Sequence, residues 1–365
     1  MKFSVEQPVL LNALQKVLGP ATTKQNFPIL SSVFMETQKN KLKLITTDLD
    51  TTIITFLETE QNENGKAVVS LKQLLSIIRE LPAMKINIEI IKNNLLIKCE
   101  NIEFKINMFN PSDFPKVDPI KDVALIKVNH QNIIDLLKLT SFCVGYEDTN
   151  YVLNGILFEI HKDQITAVAT DGKRLAVARC PLSPNQPELK TKSECIIPVK
   201  AAHEIQKLIK EREEDVLFFI EKNRIGFDLK DTQIITRPIE GEFPNYTQYI
   251  PKPHTEKMTI NRSNLLAALK RAALLSTPDY QGIKGELKKD DMVISKNTPQ
   301  IGEVKENISC SYAGKNMVIG FNPNYLIDVL KNIEDENVVF EFFDVDKPAV
   351  LRKENYVYLV LPMKI

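Results

Sequence analysis

The residues of this sequence best suited to chemistry are two aspartates, Asp48 and Asp50, at the end of a strand-like stretch. Carboxylates at alternate positions of a strand point to the same side, so the pair suits a divalent metal or phosphoryl transfer. The alternative, which the alternating pattern favours, is two solvent-facing positions where a strand enters a turn. A third acidic ligand in clear register is missing from the sequence, so the nuclease or phosphatase hypothesis is the weaker one.

Other catalytic signatures are absent from the sequence. It has no G-x-x-x-x-G-K-[ST] loop and no H-E-x-x-H pair, and its four histidines are far apart, without cysteines or carboxylates at ligand spacing. We therefore predict a protein without catalytic residues, metal or cofactor.

Two other features are typical of binding. Basic residues recur on the polar sides of the predicted helices, where lysines can neutralise phosphates without recognising bases. The second feature is residues 356–365, which stay apolar almost to the last position. The final residues from Pro362 suit either a core strand or the lining of a peptide groove, since methionine and leucine are adaptable.

The elements that position these residues form a repeat. Two alternating apolar residues, a polar residue and a helix-period apolar pattern begin at Phe3, Ile126 and Met258. Asn129 and Asn261 fall where an N-cap belongs. A second strand-then-helix unit follows in each copy, and strand-like alternation fills the rest. The pattern predicts an α+β fold with antiparallel sheets, six helices and three tandem domains, at 1–122, 123–253 and 254–365.

Composition restricts the class of protein. The 365 residues are 43% apolar and 26% charged with zero formal net charge, and five cysteines are scattered singly. No apolar run reaches the length of a membrane span and no signal-peptide pattern is present, so we expect a cytoplasmic protein without membrane contact. Any DNA binding requires charge segregated onto one face.

Motifs spread along the whole chain resemble the bacterial DNA polymerase III beta subunits, the replicative sliding clamps. They are MKFSVEQPVLL at the start, Phe27-Pro28-Ile29-Leu30, Thr47-Asp48-Leu49, Asp113-Phe114-Pro115, Tyr151-Val152-Leu153-Asn154-Gly155, residues 169–176, residues 241–246, Gly320-Phe321-Asn322 and Leu361-Pro362-Met363. The resemblance implies three clamp domains per chain, with two chains joined head to tail in a ring, helices lining the hole and sheets outside. It also implies a non-catalytic processivity factor that encircles duplex DNA, cytoplasmic and associated with the nucleoid at replication forks.

The resemblance assigns residues to three kinds of contact. Matches to DNA contacts are Lys24, Lys72, Asn150, Tyr151 and Lys200. Matches to a pocket for short peptides of the DNA polymerase III alpha subunit, the clamp loader, other polymerases and repair proteins are Leu153, Thr170, Gly172, Lys173, Arg174, Leu175, Pro244, Tyr280, Val360, Leu361, Pro362 and Met363. Matches to the dimer interface are Phe104, Leu274 and Leu275, for which burial within their own domain is an equal alternative. Gln248 and Tyr249 depart from the family pattern, and we expect them to shift peptide preference.

A third hypothesis is a peptide-binding scaffold that does not contact DNA. It predicts no salt-dependent association with DNA, whereas counterion release makes phosphate binding depend on salt.

Overall fold

A computed structural model of the chain describes residues 1–21, 27–117, 120, 125–145, 150–161, 163–182, 193–210, 213–221 and 223–364. Seven α-helices lie in these ranges: Gln7–Lys16 (α1), Leu18–Ala21 (α2), Leu71–Glu80 (α3), His130–Thr140 (α4), Val199–Lys210 (α5), Arg262–Ala273 (α6) and Pro323–Asn332 (α7). Six of them are the helices that the repeat predicts, and α2 is an additional single turn.

The helices form where the apolar spacing and the caps predict them. Helix α6 buries Leu265, Ala268 and Leu269 along one face. The Asn261 side chain accepts a hydrogen bond from the Asn264 N–H at 3.0 Å, which confirms the predicted N-cap. Pro8 lies in the first turn of α1, where its missing N–H costs no helical hydrogen bond.

Contacts within the chain divide it into two compact units. Unit 1 contains the described residues of Met1–His130 and Glu204–Pro238, and unit 2 those of Gln131–Pro184, Glu188–His203 and Ile239–Ile365. Both units include part of the predicted middle domain, because sheets run across the predicted domain boundaries. The boundary at 122 lies outside the described residues, and the three-domain limits stay a prediction.

Unit 1 contains two antiparallel sheets. The first has the order Glu60–Glu63 (β5), Lys2–Glu6 (β1), Lys85–Ile91 (β7), Asn94–Cys99 (β8) and Ile102–Asn107 (β9). The second has the order Ile126–Val128 (β10), Val216–Glu221 (β15), Arg224–Asp228 (β16), Thr232–Thr236 (β17), Thr51–Glu58 (β4), Lys41–Thr47 (β3), Ser32–Gln38 (β2) and Gly65–Ser70 (β6). Strands β17 and β4 join the two halves of the second sheet, with Thr236 opposite Thr51.

Unit 2 contains one antiparallel sheet of twelve strands. Its order is Ser193–Pro198 (β14), Gly155–Ile160 (β11), Gln164–Thr170 (β12), Arg174–Pro181 (β13), Tyr356–Val360 (β25), Ala349–Lys353 (β24), Asn337–Glu341 (β23), Lys257–Asn261 (β18), Gly302–Tyr312 (β21), Asp291–Thr298 (β20), Ile283–Lys288 (β19) and Met317–Phe321 (β22). Strands β13 and β25 join its halves, with Arg174 opposite Val360, so the C-terminal strand lies beside the turn that precedes β13.

The cysteines are structural thiols. All five are free, and Cys99, Cys143, Cys180 and Cys195 are buried. Burial raises the pKa of Cys143 and Cys195, and it raises the pKa of Cys180 to about 12. Because the thiolate is the reactive form, these side chains are poor nucleophiles.

Across the described residues, no helix combines the length and the apolar character needed to cross a membrane.

Candidate functional site

Unit 2 carries an apolar pocket of about 280 Å³ beside the junction of β13 and β25. Four segments form its walls: the β12–β13 turn, the 3-10 turns Tyr151–Asn154 and Tyr246–Tyr249, and the end of β25. We call it the strand-end pocket, and its lining residues are Leu153, Thr170, Gly172, Lys173, Arg174, Leu175, Pro244, Tyr246, Tyr249, Leu359 and Leu361.

The turn at one side of the pocket is fixed by its own side chains. The Asp171 carboxylate accepts from the N–H groups of Lys173 and Arg174, both at 3.0 Å. The Thr170 hydroxyl accepts from the Gly172 N–H at 3.1 Å. Gly172 has a φ of 78°, which glycine adopts without steric cost. The turn is therefore preformed, and ligand binding does not have to order it.

Arg174 is a buried anchor in the pocket wall. Its guanidinium pairs with Asp171 at 2.9 Å and with Asp328 of α7 at 2.6 Å. It also lies over the Tyr325 ring, 4.5 Å from the ring centroid. These partners hold the side chain in one position, so the guanidinium is a fixed part of the pocket wall.

Strand alternation makes the pocket floor apolar. Leu359 and Leu361 are two residues apart, so they lie on the same side of the chain, and Leu359 packs with Leu153 and Leu175 in one core cluster. The Leu361 side chain is 41% exposed and its N–H donates to the Lys173 carbonyl at 2.9 Å. The result is a buried floor with an exposed leucine at the rim, an arrangement that suits an apolar anchor residue of a ligand.

Tyr246 connects the pocket to the core of unit 2. Its hydroxyl donates to the buried Glu159 carboxylate at 2.5 Å. Burial and this hydrogen bond both raise the pKa of Tyr246, so the phenol is neutral under ordinary conditions.

Replacing Tyr246 with phenylalanine is expected to lower the free energy of unfolding by about 2 kcal/mol at neutral pH, because a buried carboxylate loses a donor. Above the ordinary phenol pKa of 10.0, the unfolded chain releases the Tyr246 proton while the folded chain keeps it. The stability that the neutral phenol provides is thus complete below that pH and falls above it. Urea unfolding from pH 7 to 11 should show the gap between wild type and Tyr246→Phe narrowing above pH 10, and a constant gap would contradict this assignment.

The structure brings together eight of the twelve residues predicted for the peptide pocket: Leu153, Thr170, Gly172, Lys173, Arg174, Leu175, Pro244 and Leu361. Val360 is fully buried, because alternation turns it away from Leu359 and Leu361. Tyr280 and Met363 line a second cavity of about 700 Å³, and Pro362 lines neither cavity.

Three lining residues were absent from the predicted set. Leu359 could have been found from its two-residue spacing to Leu361. Tyr246 ends the motif at 241–246, and Tyr249 was identified only as a departure from the family pattern. Both reach the pocket because the 3-10 turn Tyr246–Tyr249 packs against the sheet.

The residues predicted to contact DNA lie in both units. Lys72 on α3 and Lys200 on α5 are exposed, as are Asn150 and Tyr151 before β11. Lys24 lies outside the described residues. Among the other basic residues of the helices, Lys16 pairs with Asp231 at 3.2 Å and Lys138 with Glu334 at 2.6 Å, so these two charges are partly neutralised.

The residues predicted for a dimer interface are exposed to different degrees. Leu274, which caps α6, is 81% exposed, and Leu275 is half-buried. Phe104 lies on β9, the edge strand of the five-stranded sheet, and lines a cavity of about 520 Å³ together with Lys72.

Asp48 and Asp50 lie in a turn, as the favoured interpretation predicts. The Asp48 carboxylate accepts from the N–H groups of Asp50 and Thr51, at 3.1 and 2.7 Å, which ends β3 and starts β4. In the part of the chain that the structure describes, no three His, Cys, Asp or Glu side chains are grouped closely enough to hold a metal ion.

The antiparallel sheets with their paired helices and the strand-end pocket together define a clamp fold. A sliding clamp of Pseudomonas aeruginosa superposes with a TM-score of 0.93 at 29% identity, and one of Bacillus subtilis with a TM-score of 0.94 at 25% identity. Each comparison covers all of this chain and at least 99% of the other. A further structure of a Pseudomonas aeruginosa sliding clamp, solved bound to griselimycin, superposes with a TM-score of 0.93.

Sequence comparisons also match this chain to sliding clamps along its whole length. Residues 1–118, 127–245 and 247–364 match the N-terminal, central and C-terminal domains of the DNA polymerase III beta subunit. The beta sliding clamps of Pseudomonas putida and Escherichia coli K12 are 30% and 28% identical over the full length of both chains. This chain belongs to the DNA polymerase III beta subunit family, which confirms the prediction from its motifs. As a member, it is a non-catalytic processivity subunit of DNA replication.

Proposed function

We propose that two copies of this chain join head to tail into a ring that encircles duplex DNA and tethers a replicative polymerase. The observation that carries the proposal is the match of all three family domains in order along one chain. Helices would line the hole of the ring and sheets its outside. The ring would act in the cytoplasm, at replication forks on the nucleoid.

Contact with DNA would be electrostatic and weak enough to permit sliding. Lys72, Lys200, Lys207, Lys210, Lys270 and Lys331 are exposed on helices. Lysine neutralises phosphates as a mobile point charge, whereas arginine holds them through a rigid bidentate fork. Topology rather than affinity would then keep the ring on DNA, together with Asn150, Tyr151 and Lys24 of the predicted set.

The strand-end pocket would bind short peptides from the DNA polymerase III alpha subunit, the clamp loader, other polymerases and repair proteins. The preformed turn, the buried Arg174 and the apolar floor support this assignment, since such pockets bind an apolar anchor residue and orient it with a few polar groups. Griselimycin binding by the related Pseudomonas aeruginosa clamp gives a ligand to test against the same pocket.

The test of the ring is retention on nicked circular DNA after loading with a cognate clamp loader and ATP. We expect the protein to survive a high-salt wash on circles and to be lost once a nuclease cuts each circle. Direct phosphate contacts would weaken steeply with salt, whereas a closed ring would not dissociate. Equal retention on circular and linear DNA would refute topological binding, and no retention on either would favour the peptide-binding scaffold.

A further inference from the structure

Units 1 and 2 each contain a similar three-stranded antiparallel unit, here called the hairpin: β2–β4 in unit 1 and β11–β13 in unit 2. A later segment of the chain, called the connector, packs beside each hairpin: residues 114–117 in unit 1 and 243–246 in unit 2. In unit 1, β2 pairs with β3 and β3 with β4, and in unit 2, β11 pairs with β12 and β12 with β13. The turns match in detail: the Asp48 carboxylate accepts from the Thr51 N–H, as the Asp171 carboxylate does from the Arg174 N–H. Positions in one hairpin can therefore be assigned to positions in the other.

This correspondence places Glu36 at the position of Glu159. Phe34, which lies opposite Ile45, corresponds to Leu157, which lies opposite Val168. Each glutamate lies two residues after the first member of its pair. The connectors align on a shared Phe-Pro pair, which begins at residue 114 in unit 1 and at residue 243 in unit 2.

The alignment of the connectors places Val117 at the position of Tyr246. Val117 packs against the core cluster of unit 1, and Tyr246 belongs to the corresponding cluster of unit 2. In unit 2 the tyrosine ring fills the space beside the hairpin, and its hydroxyl donates to Glu159. Valine has neither the ring nor the hydroxyl, so among the described residues of unit 1 nothing corresponds to the Tyr246 side chain at that place.

A cavity of about 470 Å³ lies at this place in unit 1, and we call it the unit 1 cavity. Its volume is within the range of about 300–1,000 Å³ that is usual for ligand pockets. Phe34, Ile45 and Phe114 form its apolar walls, and Glu36 provides a carboxylate. The rings of Phe34 and Phe114 lie 5.3 Å apart, which leaves aromatic surface for a further ring to pack against.

The charges around the cavity are unequal. Among the described residues of the lining, Glu36 is acidic, whereas Lys43, Lys66 and Lys116 are basic. Lys66 pairs with Glu36 at 3.3 Å, so the Glu36 carboxylate is held in place at the cavity as a hydrogen-bond acceptor. The remaining ammonium groups favour a ligand that carries acidic groups near the bound ring.

We infer that the unit 1 cavity binds a tyrosine side chain from a partner peptide, with acidic residues beside it. The phenol ring packs against Phe34, Ile45 and Phe114, and its hydroxyl donates to Glu36. The ligand side chain thus takes the place that Tyr246 occupies in unit 2. This site is separate from the strand-end pocket, and the inference does not depend on ring formation or on DNA.

The test uses the full-length protein with isotope-labelled isoleucine methyl groups and two peptides, acetyl-Glu-Tyr-Glu-amide and acetyl-Glu-Phe-Glu-amide. Ile45 lines the unit 1 cavity, and no isoleucine is among the described residues that line the strand-end pocket, so the Ile45 methyl signal reports binding at the unit 1 cavity. We expect the tyrosine peptide to shift the Ile45 signal with about tenfold higher affinity than the phenylalanine peptide, because its hydroxyl bonds a charged acceptor. Glu36→Gln should remove most of that difference.

Val117→Tyr supplies the side chain from within the chain and should abolish the peptide-induced shift while raising the melting temperature. Val9→Tyr is the matched control, since Val9 is an exposed valine on α1, and it should keep the shift. Equal affinity for the two peptides, or an unchanged Ile45 shift in Val117→Tyr, would overturn the inference. Glu36→Gln decides the question if Val117→Tyr does not fold, because preference for tyrosine that persists without the carboxylate also refutes it.

Discussion

Replacing Leu361 with aspartate is expected to weaken binding of a polymerase-derived peptide to the strand-end pocket by about 100-fold, because an apolar contact is lost and a carboxylate is placed where the peptide docks. The Leu361 side chain forms the exposed rim of an apolar floor, and a carboxylate there would have to be desolvated when the peptide docks. Fluorescence anisotropy with a labelled peptide from the DNA polymerase III alpha subunit measures the loss.

The fold should tolerate this change. Leu361 is 41% exposed, and its backbone N–H bonds the Lys173 carbonyl whatever the side chain, so the melting temperature should shift little. Ile301→Asp is the control, because Ile301 is similarly exposed in the turn between β20 and β21, outside the pocket lining. Wild-type peptide affinity in Leu361→Asp would remove the strand-end pocket from the proposed function.

The helices could be predicted from the sequence because their signals are local. Apolar spacing along α6 and the cap at Asn261 involve residues within one or two turns of each other. The way in which the sheets are joined could not be predicted from local signals of this kind. The pairings of β17 with β4 and of β13 with β25 connect residues more than 170 positions apart, and strand alternation alone does not choose a partner.

In the strand-end pocket, too, the sequence predicts residues that are close together along the chain but not the contacts between distant ones. The turn residues Asp171, Gly172 and Arg174 stand together in the sequence, and the motif gives them directly. The ion pair between Arg174 and Asp328 joins residues 154 positions apart, and no sequence pattern predicts it. The motif match assigns Val360 to the pocket although this side chain is fully buried, because a match carries no information about which face of a strand a residue occupies.

Replacing Leu274 with aspartate is expected to convert the proposed dimer into single chains at micromolar concentration. At 81% exposure, Leu274 contributes little to the core of unit 2, so the substituted chain should fold as the wild type does. In the proposed dimer this leucine would be buried against the partner's first domain, where an unpaired carboxylate is strongly unfavourable. A rise of about 100-fold in the dimer dissociation constant is the scale of losing a central apolar contact.

Light scattering during size-exclusion chromatography measures the molar mass of the Leu274→Asp protein, which should correspond to one chain rather than two. Val318→Asp is the matched control, since Val318 is an exposed apolar residue of β22 in the same unit and should leave the dimer intact.

Phe104, on the other side of the proposed interface, gives a second test. In a head-to-tail dimer, Phe104 on the edge strand β9 would face the partner's α6, so Phe104→Asp should give monomers at similar concentrations. A Leu274→Asp protein that stays dimeric at micromolar concentration would show that the interface lies elsewhere. The exposed edge of β9 would then not be covered by α6 of the partner.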